Sequence, residues 1–187
     1  MAFYTPIIQL HDGVFNTVQR AAGDWFIPTA ARFVFAGVLV LYYWNSGLTK
    51  ISDGVFGFLN LKTGAYFSIL GEETLAQYGF DPSMVPFHLD AIVHLGTWAE
   101  FILPAIIVIG LFTRAASLGM IVFVIVQSYV DVVAHKVDAK TVGMLFDRDS
   151  GSLIMDQRAL WIFLLMVLVV KGAGALSVDR LLSSRSA

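Results

Sequence analysis

The sequence predicts an all-α membrane protein: a four-helix transmembrane bundle with an N-terminal interfacial helix and two long loops on one side. Three observations predict it. Hydrophobic residues make up 57% of the 187-residue chain and charged residues only 14%, with a mean hydropathy of +0.75; a soluble domain runs at roughly half apolar and a quarter charged. The apolar residues are gathered into four blocks of about 20, the length at which a helix crosses a hydrocarbon core roughly 30 Å thick. Between the blocks lie one tight turn and two long polar stretches.

The domain boundaries follow from that pattern. Residues 1–24 form an amphipathic segment, residues 25–180 a single membrane domain, and residues 181–187 a C-terminal tail. In the first segment Ile7, Leu10, Val14 and Val18 recur at about helical spacing, with Gln9, Asp12, Asn16 and Gln19 between them. That is a helix lying in the membrane interface. The stretch has no basic n-region leading into a continuous apolar core, so it does not read as a signal peptide.

The spans fall at about 25–51, 86–112, 115–134 and 157–175. Pro104 lies inside the second, where it is expected to bend the helix and free a carbonyl. Trp25, Trp44 and Trp161 lie toward span ends, as aromatic belts predict, and Trp98 is expected deeper. Spans two and three are joined around Leu111–Ala116 and must form an antiparallel hairpin. The loop 51–85 is too polar to cross but carries Phe56, Phe58, Tyr66, Phe67, Tyr78 and Phe80, so it should lie against the interface as short amphipathic pieces. In the loop 136–156 the runs Met144–Phe146 and Ser152–Met155 flank Asp147–Gly151 and read as a hairpin.

Lysine and arginine near the span ends divide almost evenly. Arg20, Arg114, Arg180, Arg185 and Lys171 fall on one side, and Lys50, Lys62, Lys136, Lys140 and Arg148 on the other, where acids dilute them. The expectation is an inner-membrane protein with both termini cytoplasmic and both long loops outside.

Composition also excludes functions. A net charge of −2 and no basic run argue against a nucleic-acid partner. With no cysteine, thiol–disulfide exchange, iron–sulfur clusters and thiolate zinc sites are ruled out for the chain's own residues. No P-loop, dinucleotide fingerprint or nucleophile elbow is present, and Asp147–Gly151 lacks the ligands of a calcium loop.

Ionisable residues inside a bilayer are costly and mark candidate sites. Arg32 enters the first span early and Glu100 is the most central acid of the second, so the two are expected to pair, either as architecture or with Glu100 handling protons. Lys50 either snorkels to the headgroups or faces inward. Gln127, Asp131 and His135 are spaced four and four on the third span, a polar stripe that should face the other helices. Asp131 and His135 fall with Asn45, Lys50 and His94 in the outer half of the bundle. Three readings of that cluster stay open: a hydrogen-bonded network, a quinone pocket formed by Asn45, Lys50, His94 and His135, or b-type haem held between His94 and His135, with haem behind quinone. A metal site on His94, His135 and Asp131 ranks last. At the chain's last apolar exit, Gly172 and Gly174 are expected to end the helix, and Ser177 or Asp179 to cap the next one.

The chain resembles the DoxX family of small four-span membrane proteins, within the DoxD-like group. The resemblance rests on Arg32, on Gly47–Ile51 (GLTKI), on Glu100 followed by Gly110–Ala116 (GLFTRAA), on His135, and on Gly172–Asp179 (GAGALSVD), where Ala173 replaces the family's usual proline. It covers about residues 30–180 in order, and the long loops depart from it. The resemblance implies a four-helix bundle, and for some relatives the membrane part of a thiosulfate:quinone oxidoreductase or a complex answering oxidative or metal stress. The expectation is a quinone-interacting subunit of a small redox complex, in which Glu100, Asp131 and His135 relay protons and a soluble partner docks at the outer face. The alternative is a non-catalytic scaffold that anchors a partner through its loops. A homodimer would fit either.

Overall fold

The computed structural model describes residues 5–54 and 56–184. Residues 1–4 of the N-terminal segment, Arg185 of the positive-residue comparison and the rest of the tail lie outside them.

The chain folds as helices: α1 (Thr5–Ala22), α2 (Phe26–Lys50), α3 (Thr63–Leu70), α4 (Glu72–Ala76), α5 (Phe87–Ile109), α6 (Thr113–Val133), α7 (Ala139–Val142), α8 (Leu153–Lys171) and α9 (Val178–Ser183). Four of them, α2, α5, α6 and α8, are long and apolar enough to cross a membrane. Among the described residues there is no strand beyond an isolated bridge between Ile51 and Leu61. Ile7, Leu10, Val14, Phe15 and Val18 on α1 are all exposed, leaving an apolar stripe free for the interface.

The core explains how α2 sits. Ala31, Phe35, Leu39, Tyr43 and Gly47 are buried at steps of four. On a pure α-helix such a stripe drifts by about 40° per step. A π-helical turn at Ala36–Val40 absorbs the drift and keeps all five facing inward. Met120 and Val124 of α6 and Trp161, Leu165 and Leu168 of α8 complete the core. Trp161 is therefore a core residue packed beside Tyr42 and Tyr43, not part of a belt. Trp98 is half-buried and donates to the Phe58 carbonyl (2.8 Å), while α5 runs helical through Pro104.

The end of the bundle that carries the termini is tied by a polar knot, and the expected Arg32–Glu100 pair does not form. Nε and Nη2 of Arg32 donate to the carbonyls of Ile107 and Val108 (3.2 and 2.6 Å), and Nη1 to those of Ala173 and Leu176 (2.7 and 2.5 Å). The last carbonyls of a helix have no partner within it, and Arg32 supplies donors to two of them. Asp179 accepts from the amides of Phe112 and Thr113 (2.7 and 2.9 Å), so it caps α6, not the helix that contains it. Ser177 caps α9. Gly172 and Gly174 have φ of +79° and +77° and end α8, and a Cβ at Gly174 would strike Thr29 Oγ1 at 2.7 Å.

At the other end, the loop after α2 folds into α3 and α4 and packs Ala65, Tyr66, Leu75 and Val85 against Val93 of α5 as a second small core. The hairpin expected around Asp147–Gly151 is absent. Asp138 caps α7, Asp147 and Asp149 each hold an amide two residues on, and Ser152–Met155 is drawn into the start of α8. Thus α8 begins at Leu153, four residues before the boundary read from sequence, and ends at Lys171 rather than 175.

Candidate functional site

A cavity of about 550 Å³ lies between α5 and α6 at the loop end, closed behind by the end of α2 and capped by α3. Its apolar wall includes Leu95, Leu103, Val122 and Val126. Leu95, Val122 and Val126 are exposed, so the cavity opens sideways toward the lipid. Its polar lining includes Ser46, Thr49, Lys50, Glu100, Asp131 and His135.

Sequence places these groups through close helix approach. A Cβ at Gly47 would fall 2.5 Å from the Phe101 ring, so only glycine lets α2 and α5 come together here. The approach puts Lys50 opposite Glu100. Lys50 Nζ lies 2.9 Å from both carboxylate oxygens and also donates to Ser46 Oγ at 2.7 Å. Both residues are buried, with 6% and 5% exposed. Lys50 reaches back along its own helix into the bundle and does not snorkel outward.

A second ion pair borders the same space. Asp131 Oδ2 accepts from Arg158 Nη2 at 2.6 Å, and Arg158 Nη1 donates to Ser128 Oγ at 3.0 Å. Arg158 is 2% exposed, and its Nε has no partner among the described residues. The π-helical opening of α8, Leu153–Arg158, ends on this arginine. Reading the sequence missed Arg158 because the span boundary was set at its edge. The available signal was a lone arginine at the start of span four, at the depth of Asp131 near the end of span three.

His135 borders the cavity and its Nε2 lies 2.9 Å from the Ser68 carbonyl. Gln127 joins it to the tyrosines of α2: its Nε2 donates to Tyr42 Oη (3.3 Å), and its Oε1 accepts from Tyr43 (3.5 Å). Lys50, Glu100, Asp131 and His135 thus meet at one cavity; Asn45 and His94 do not. Asn45 is exposed on the far face of α2. His94 packs edge-on against Trp98, with Nδ1 3.0 Å from the Asp90 carbonyl and Nε2 3.4 Å from that of Leu59. His94 therefore pins the loop to α5, and the two imidazoles expected to hold haem do not share a cavity. No cluster of three metal-ligating side chains occurs among the described residues.

Outside the spans, burial and its hydrogen bond to Asp90 push the Tyr66 phenol above its usual range. Lys136 beside Glu73 (2.5 Å) holds that carboxyl below the usual range and is itself raised. The chain matches no protein-family model, no curated protein and no solved structure.

Proposed function

We propose that this chain is the quinone-interacting membrane subunit of a small redox complex, linked to sulfur metabolism or to oxidative or metal stress, and a member of the DoxX group its motifs resemble. The observation that carries the reading is the lateral cavity: apolar and open to lipid along one side, and ending on Lys50, Glu100, Asp131 and His135. Its volume lies in the range of small-molecule sites, roughly 300–1,000 Å³. A quinone has a flat head with two acceptor oxygens and a lipophilic tail, and the cavity offers donors at one end and an exit for the tail at the other.

When bound, the quinone supplies the redox chemistry, taking up two electrons and two protons. The second N–H of the Gln127 amide would donate to the head, and Lys50 and His135 would each turn a donor to it from the Ser46 hydroxyl and the Ser68 carbonyl that they otherwise hold. Glu100 and Asp131, carboxylates each paired with a cation, would pass protons to it from the loop end. Electrons enter from a soluble partner at the loop end, which on this reading faces away from the cytoplasm of an inner-membrane protein.

The test is solvent extraction of protein purified in mild detergent, with an oxidised-minus-reduced visible spectrum of the same sample and quinone-reduction assays of variants. Stoichiometric quinone is expected, lost or inactive in His135→Ala and Asp131→Asn but retained in His94→Ala. A blank from membranes rich in quinone, or unchanged turnover in both cavity variants, overturns the reading. One observation favours the scaffold alternative: the 51–86 loop has its own core and leaves Phe56, Phe58 and Phe80 exposed. That alternative predicts that polar substitutions at these three abolish partner capture while cavity variants retain it.

A further inference from the structure

A second cavity, about 750 Å³, lies at the opposite end of the bundle among the ends of α6 and α8, the turn 172–177 and α9. Arg114, Lys171 and Arg180 border it, together with Asp24, Asp179 and Thr113. Both carboxylates are engaged: Asp179 on the amides at the start of α6, Asp24 on Lys171 at 3.3 Å. The guanidinium groups of Arg114 and Arg180, both exposed, make no hydrogen bond or ion pair with any described residue. Fully buried Thr113 borders the same space, and its Oγ1 also has no partner among the described residues. Gly172 keeps the rim open for the arginine, because a Cβ there would press on Arg114 Nε at 3.3 Å.

Two unpaired guanidiniums and an ammonium facing a cavity whose acids are already bonded make an anion site, and guanidinium geometry suits phosphate oxygens. We propose that this cavity binds a phosphate group. Lys171 closes a membrane-spanning helix and Trp25 borders the cavity, so the site lies at headgroup depth, where an acidic phospholipid is the carrier at hand. The site is independent of the quinone cavity at the other end.

Native mass spectrometry of the full chain in detergent tests this, with phosphatidylglycerol, phosphatidylcholine or inorganic phosphate added. Phosphatidylglycerol should bind in preference to phosphatidylcholine. Each arginine neutralised should weaken it by roughly fivefold, so Arg114→Gln with Arg180→Gln should cost about twenty-five-fold. Lys62→Gln with Lys140→Gln, exposed at the loop end, should change nothing. Arginine-dependent binding of inorganic phosphate without a lipid preference would support the phosphate site and assign it to the free anion. Equal binding of the two lipids with no arginine-dependent phosphate uptake, or an equal loss in the lysine variant, overturns the proposal.

Discussion

Replacing Lys50 by methionine removes the ammonium but keeps most of the aliphatic arm, which isolates the charge. In the native chain three donors of that ammonium are spent on Glu100 Oε1, Glu100 Oε2 and Ser46 Oγ, at 2.9, 2.9 and 2.7 Å. After the substitution Glu100 keeps only the Ser46 hydroxyl at 3.2 Å, while remaining 5% exposed inside the bundle. Leaving one member of a buried pair uncompensated costs about 3–5 kcal/mol. For a chain of this size that is on the order of 10 °C in melting temperature. Glu100→Gln should cost a similar amount, since it strands the ammonium. The double variant Lys50→Met/Glu100→Gln should recover to within about 1 kcal/mol of wild type, because replacing both members of a buried pair is often near neutral. Thermal unfolding of the four proteins in one detergent gives the coupling energy. Burial predicts that it barely changes with salt. Additive single-variant losses, or a Lys50→Met protein as stable as wild type, would refute the buried pair.

Two further outcomes follow from named contacts. Asp179→Ala strips the cap from α6, leaving the amides of Phe112 and Thr113 without their carboxylate, and should lower stability by about 1–2 kcal/mol, with Asn restoring part of it in the same melting assay. The Glu73–Lys136 pair ties α4 to the segment after α6. Glu73 is lowered and Lys136 raised by their hydrogen bond and charges, so the tether is fully present between the ordinary carboxylate and lysine values, about 4.3 and 10.4. It is lost as pH falls through the depressed Glu73 value or climbs through the raised Lys136 value. Amide exchange at Glu72–Ala76, corrected for intrinsic pH dependence, should be flat across neutral pH and rise at the acidic edge. Lys136→Gln should remove that edge; an unchanged acid profile in the variant refutes the tether.

The four spans were legible because block hydrophobicity is a local property, readable without knowing any contact. The polar stripe Gln127–Asp131–His135 was legible for the same reason, since a spacing of four fixes a face. Partners were not. Arg32 was assigned to Glu100 by the attraction of opposite charges, but the carbonyls at the end of α5 are also acceptors, and sequence does not show which acceptors a fold leaves unpaired. Asp179 capping a helix some 66 residues earlier in the chain is equally invisible to local rules. The sequence reading starts α8 too late because Ser152–Met155 is a short apolar run beside a turn, a pattern that a hairpin arm and a first helical turn share. Only Asp156 holding the Ser152 amide at 2.9 Å decides for helix.

The two ends of the bundle handle the cost of buried charge in different ways, and the proposed quinone site rests on that difference. Arg32 is satisfied by four carbonyls and no carboxylate, so no proton can move within its cluster: a guanidinium does not release one and a carbonyl does not take one. At the loop end the two buried cations, Lys50 and Arg158, each face an acid, and in both pairs the acid lines a cavity. A carboxylate beside a fixed cation can gain a proton from a ligand and give it back while the surrounding charges stay in place. Lys50 adds an ammonium that can itself donate. Arg158, which cannot, holds the Asp131 carboxylate in place through its 2.6 Å bond. Buried polar contacts hold the helices together at both ends, and on the proposed quinone reading the loop end also supplies the groups that exchange protons with the ligand.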